Sequence, residues 1–186
     1  YVYETRYWDN SHGYDGRVKS WHHMAAEKGS GTTSIGKLHF RSAADPIGFE
    51  QSMIPMHVAG GTGDVRGCVK RPLPPPLKRS KIVERIGPGE STYTRYDRDI
   101  MESACAWLKA RGESKQGAPW TLMCSFVCPH PPHIAPPEFY ERYERMNFPM
   151  PKMSDPDVPL HPWIHLMQRT RNHEDFLTPQ TKKVLM

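Results

Sequence analysis

The stretch Trp120 to Val127 (WTLMCSFV) is almost wholly apolar and is closed by Pro119 on one side and Pro129 on the other. It is too short for a buried helix, and its bounds and content are those of a buried central strand. Such a strand has to be covered on both faces, and helical patterns surround it. From Asp97 onward Ile100, Ala104, Trp107 and Leu108 recur at helical spacing until Gly112 stops the run. Pro136-Pro137-Glu138 opens a helix through Arg145, with proline in the first turn. Ser20 is a good N-cap for Trp21 to Lys28, Gly29 a good residue to follow the helix end, and His173 to Leu185 reads as a final helix. Thr32 to Ile35 is a β-prone run ended by Gly36, with a loop from Lys37. Helix–strand alternation of this kind predicts an α/β fold: part of a mostly parallel sheet flanked by helices.

With 186 residues the chain is long enough for one domain, but its 19 prolines and 14 glycines imply many loops. Residues 42 to 96 carry much of that punctuation and read as a long loop-rich excursion that walls one side of a cleft. The net charge of +5 suits an anionic substrate. The densest basic stretch, Lys70 to Lys81, is split by Pro74-Pro75-Pro76 and does not gather charge on one face, so no nucleic-acid partner is expected. The four cysteines (Cys68, Cys105, Cys124, Cys128) are too few for a disulfide scaffold; reduced thiols are expected, two of them buried in apolar runs. No apolar run approaches the ~18 residues of a membrane span. The chain opens at Tyr1 and closes on Val184-Leu185-Met186 in mid-pattern, so an internal fragment is expected, with compartment open and an oligomer possible.

In parallel α/β sheets ligands bind beyond the carboxyl ends of the strands. Two strand exits carry chemistry-capable residues, Gly36-Lys37-Leu38-His39 and Pro129-His130-Pro131-Pro132-His133, and both sets are expected near one rim. If residues 37 to 39 stay extended, Lys37 and His39 point to one face. A lysine ammonium suits an oxyanion, and a neighbouring histidine can bond the same anion or move a proton. Prolines around His130 and His133 stiffen the loop that would hold an imidazole steady. Surface or capping roles are the plainer alternative for all four. His57 sits in the excursion and is a candidate for the substrate pocket. Trp8-Asp9-Asn10 reads as a turn before it reads as a cation site. His22 and His23 read as half-buried or solvated helix residues. A zinc site across Cys124, Cys128, His130 and His133 fails on reach, because an extended strand sets Cys124 ~20 Å from His130. The Gly60 to Gly67 glycines lack the phosphate-loop pattern.

Thr33-Ser-Ile-Gly-Lys-Leu-His39 resembles the Gly-Lys-x-His segment of sulfatases of the alkaline-phosphatase superfamily. Ser125 to Pro136 resembles their Pro-His-x-Pro segment, with the Pro-Glu-Phe-Tyr helix after it. Tyr7-Trp-Asp-Asn10, Tyr14-Asp-Gly16 and Ser20-Trp21 are similar to the stretch that precedes Gly-Lys-x-His in choline-sulfatase-like members. The resemblance implies a partial sulfatase catalytic domain over residues 1 to 186, in a hydrolase releasing sulfate from a small-molecule ester. It implies Lys37, His39 and His130 as catalytic residues; His133, His57 and Trp8 are substrate-binding candidates by their places in the chain. It also implies a formylglycine nucleophile and a divalent cation, calcium in most members. No Cys-x-Pro-Ser-Arg sequence and no paired aspartates for the metal occur in this chain, so neither is expected within it, and the chain alone is expected to be inactive. A phosphonate or phosphate ester hydrolase of the same superfamily and a non-catalytic anion-binding module are the alternatives.

Overall fold

The structure, a computed structural model, describes residues 2–7, 11–63, 85–114, 117–149, 159–162, 164–165 and 178–185. The chain divides into two compact units, one from Tyr1–Leu73 with Tyr96–Val127 and one from Pro74–Arg95 with Cys128–Met186. The protein is α/β, and every strand pair among the described residues is parallel.

The first unit opens with a short helix α1 (Val2–Thr5), then α2 (Trp21–Glu27). Ser20 caps α2 in extended conformation, and Gly29 follows its end at φ 76°. Three strands form its sheet in the order β2-β1-β4: β1 (Gly31–Lys37), β2 (Gln51–Met56) and β4 (Trp120–Ser125). The central strand is β1, whose Thr32 to Gly36 are all buried. Two of its buried hydroxyls are satisfied locally. The Thr32 hydroxyl donates to the Gly48 carbonyl (3.2 Å) and Ser34 to the Ser52 hydroxyl (2.9 Å). Helix α3 (Thr92–Glu113) lays Ile100 and Ala104 against Ile35, with Met53, Tyr96, Trp107 and Leu122 around them.

Three expectations need correction. Trp120–Ser125 is an edge strand, not the central one: Trp120 and Cys124 are exposed, because only one of its sides meets a described strand. The excursion over 42–96 contains β2 and β3 (Ile86–Pro88), and α3 starts at Thr92 rather than Asp97. Ser91 and Thr94 make that earlier start: Thr94 N–H donates to Ser91 Oγ (3.1 Å) and Ser91 N–H to Thr94 Oγ1 (2.8 Å), a reciprocal cap. Leu108, Cys105 and Cys124 are exposed, and Cys128 is half-buried. Cys68 and the basic stretch 70–81 lie outside the described residues.

In the second unit β3 pairs with β5 (His133–Ala135), and α4 (Pro137–Glu144) and α5 (Pro179–Leu185) lie against β3. Pro137 occupies the first turn of α4, as the sequence implies.

His22 departs from a solvated role. It is 3% exposed, stacked on Phe49 at 4.4 Å between ring centres and set edge-on to Tyr14, while Nε2 lies 2.5 Å from Ser20 Oγ. Burial holds its pKa below the ordinary histidine value, the charge of His23 acts the same way, and the nearby Ile47 backbone carbonyl, an acceptor for a protonated ring, opposes both. The folded state therefore binds fewer protons here than the unfolded chain once pH drops below about 6.5. Stability is expected to fall as pH decreases through that value. His22→Phe should flatten the acid limb of a urea-midpoint profile taken from about pH 7.5 to 5.5. Parallel curves for the two proteins would assign the acid loss elsewhere.

Candidate functional site

Lys37 ends the central strand, and the chemistry of its position begins one residue earlier. Between Ile35 and Lys37 the ladder skips: Ile35 pairs with Met53 but Lys37 with Met56, so β2 carries an extra residue. That bulge places Ile54 at φ 41° with Pro55 beside it, and Tyr96 of α3 pins it by donating to the Ile54 carbonyl (2.5 Å). Opposite it Gly36 takes φ 101°, and a Cβ there would sit 2.7 Å from Ile100 Cδ1 and closer still to the Ser125 carbonyl. Only glycine fits, so the residue before Lys37 is dictated by backbone geometry.

The Lys37 side chain is half-buried, and its ammonium has no ion pair or hydrogen bond among the described residues. Among the described residues its charge is therefore uncompensated. His39 is exposed at φ 56°. The left-handed backbone breaks the extended run, so the two-residue alternation that would have put Lys37 and His39 on one face does not carry through.

The N–H groups of Leu38 and His39 both donate to the Met56 carbonyl (3.1 and 3.0 Å), and Val58 N–H donates to the Phe40 carbonyl (2.9 Å). Residues 38–40 therefore run beside 56–58, which brings His57 next to the Lys37–His39 loop. Both ring nitrogens of half-buried His57 are shielded from solvent and lack a hydrogen-bond partner among the described residues. Trp8, the other candidate in this half of the chain, lies outside the described residues, as do Asp9 and Asn10.

Sequence reading missed the network that follows. Arg41 donates through Nε to Asp45 Oδ2 (3.0 Å), through a second nitrogen to Asp45 Oδ1, and to Asp15 Oδ2 (3.3 Å). The hydrogen bond from Arg41, aided by its charge, holds the Asp45 carboxyl below the usual carboxylate range. The four-residue spacing of Arg41 and Asp45 was a visible signal for that pair; the link to Asp15 was not.

In the second unit His130 is exposed on the loop before β5, where the Cys128–Pro129 and Pro131–Pro132 bonds are cis. Its Nδ1 lies 2.9 Å from the Pro131 carbonyl oxygen. A carbonyl only accepts, so Nδ1 carries the hydrogen, and in the neutral ring Nε2 is the free acceptor. The Tyr93 ring stands edge-on to the imidazole at 5.7 Å. His133 is exposed in β5 opposite Ile86. Within the first unit, Val127 N–H donates to the Asp97 carboxylate (2.7 Å), which fixes the chain just past β4.

No protein-family model matches this chain, and no curated protein matches it. Among the described residues no group of three His, Cys, Asp or Glu side chains could hold a metal ion, and no helix is long and apolar enough to cross a membrane.

Proposed function

We propose that this chain is part of a sulfuric ester hydrolase with an alkaline-phosphatase-like catalytic domain. The observation that carries the reading is Lys37: a half-buried ammonium, without a carboxylate partner among the described residues, at the carboxyl end of the central strand of a parallel sheet. Such a group calls for an anion. The motif resemblance supplies the identity of the anion. Sulfate-ester cleavage breaks the bond from sulfur to the ester oxygen while a new oxygen bonds to sulfur, and negative charge grows on the sulfuryl oxygens and on the departing oxygen. Lys37 offsets charge on the sulfuryl oxygens. His130, with Nδ1–H committed to the Pro131 carbonyl, presents Nε2; as imidazolium it delivers the Nε2 proton to the departing oxygen and is left neutral. His39 orients the attacking group or takes its proton. A formylglycine hydrate with its divalent cation supplies the attacking oxygen in the family, and no described residue is assigned to either.

The test uses the chain as it stands. Sulfate added to the labelled protein should give saturable shifts at Lys37, and Lys37→Met should weaken binding about tenfold, the loss of one charged hydrogen bond. Equal shifts with chloride, or unchanged sulfate affinity in the variant, would remove Lys37 from the site. Clearly tighter phosphate binding in the same titration would turn the reading toward a phosphate or phosphonate ester hydrolase.

A further inference from the structure

Ile54 is a strained point of the first unit. A β-branched residue at φ 41° holds a conformation that such residues rarely adopt, and it persists only where the surroundings impose it. Packing alone does not impose it, because Ile54 is 39% exposed. A hydrogen bond does: the Tyr96 hydroxyl donates to the Ile54 carbonyl. The Tyr96 ring packs against the core formed by Ile35, Ile100 and Ala104, so that hydroxyl has a fixed origin. Burial, and after it the charge of Asp97, raises the phenol pKa above the ordinary tyrosine value, which keeps the hydroxyl a donor.

Asp97, the next residue, holds the other side. Its carboxylate accepts from Val127 N–H (2.7 Å), two residues past the end of β4. The sheet order is β2-β1-β4, so consecutive residues of α3 bind the chains on either side of β1. Between them lies the exit of β1, where Lys37 pairs with Met56 across the bulge. A bulge re-aims a side chain where pairing ends. Lysine itself is a long, flexible side chain, so the aim of its ammonium depends on how firmly the backbone beneath it is held. Lys37, Ile54, Tyr96, Asp97 and Val127 all belong to the first unit.

We propose that Tyr96 and Asp97 form a clamp that positions Lys37 for an oxyanion, acting through the backbone of the two flanking strands. They are positioning residues, not ligands. The inference rests on the anion reading of Lys37 and adds to it what keeps the ammonium in place.

The experiment titrates the labelled 186-residue chain with sulfate and reads the shifts at Lys37. Tyr96→Phe keeps the ring and removes only the hydroxyl; it should weaken sulfate about threefold or more. Asp97→Ala should do the same from the other flank, and it carries the test should Tyr96→Phe fail to fold. Adding Ile54→Asn to Tyr96→Phe should recover most of the loss, because asparagine takes positive φ more readily than isoleucine. Trp107→Phe controls for general loosening. Trp107 borders the same core but meets Trp120 at the amino end of β4, edge-on at 5.1 Å, so its variant should lower stability and leave sulfate affinity within about twofold of the parent. The inference is overturned if either folded clamp variant binds sulfate as the parent does, if Trp107→Phe weakens binding as much as they do, or if Ile54→Asn recovers nothing. A parent without saturable sulfate binding would sink the anion reading and the clamp with it. A parent that binds, with clamp variants that bind equally well, would sink the clamp alone.

Discussion

Gly36→Ala is expected to cost more stability than any other single methyl group added to the first unit's sheet, on the order of 4 kcal/mol or more. Two independent terms add. The backbone at φ 101° is outside what an L-residue adopts without strain. The new methyl would also meet Ile100 Cδ1 at 2.7 Å and the Ser125 carbonyl closer still, and neither can retreat: Ile100 is fully buried and Ser125 is held in the β1–β4 ladder. Against a total stability of roughly 5–15 kcal/mol, much of the chain would unfold. Gly29→Ala is the control. It also has positive φ (76°), but nothing lies within 4 Å of the added carbon, so about 1 kcal/mol is expected. Denaturant midpoints for the two variants decide the matter; similar losses would mean that conformation alone, and not the close approach of β4 and α3, excludes a side chain at Gly36.

The second large effect is on turnover. Under the proposed hydrolase reading, Lys37→Ala in the full-length protein should lower kcat/KM by about 10²–10³, the loss expected when one preorganised charge on a developing oxyanion is removed. His130→Ala should cost about 10²–10⁴ for esters whose departing oxygen is a poor leaving group, and far less for activated aryl esters that need no proton. That dependence on the leaving group separates an acid catalyst from a residue that only shapes the loop. Folding should be intact in both, since Lys37 lacks a described partner and His130 is exposed. His133→Ala should cost less than His130→Ala. A larger loss at His133 would transfer the acid role to it.

The local signals in the sequence were read well where one residue type serves one purpose. Ser20 and Gly29 bracket α2, and Pro137 opens α4. Reading failed where burial and apolarity part company. The central strand is Gly-Thr-Thr-Ser-Ile-Gly-Lys, whose hydroxyls are buried because Gly48 and Ser52 receive them, whereas the apolar Trp120–Ser125 stands at an edge. Strand β2 was hidden by Pro55, which reads as a breaker until the bulge gives it a place. The site suffered from the same gap. Lys37 and His57 each stand out in the sequence, but their adjacency depends on the β1–β2 register, and no periodicity in the sequence encodes that. Arg41 and Asp15 are partners across 26 positions and were invisible for the same reason.

The surplus residue in β2 also constrains how this protein can change over time. Side chains along a strand alternate in facing, so the odd residue at Ile54-Pro55 sets the parity of everything downstream of it. Removing one position there would turn His57 and Val58 to the faces they now avoid, whereas exchanging a side chain would leave their aim intact. Homologous chains should consequently vary in composition at 54–55 far more readily than in length.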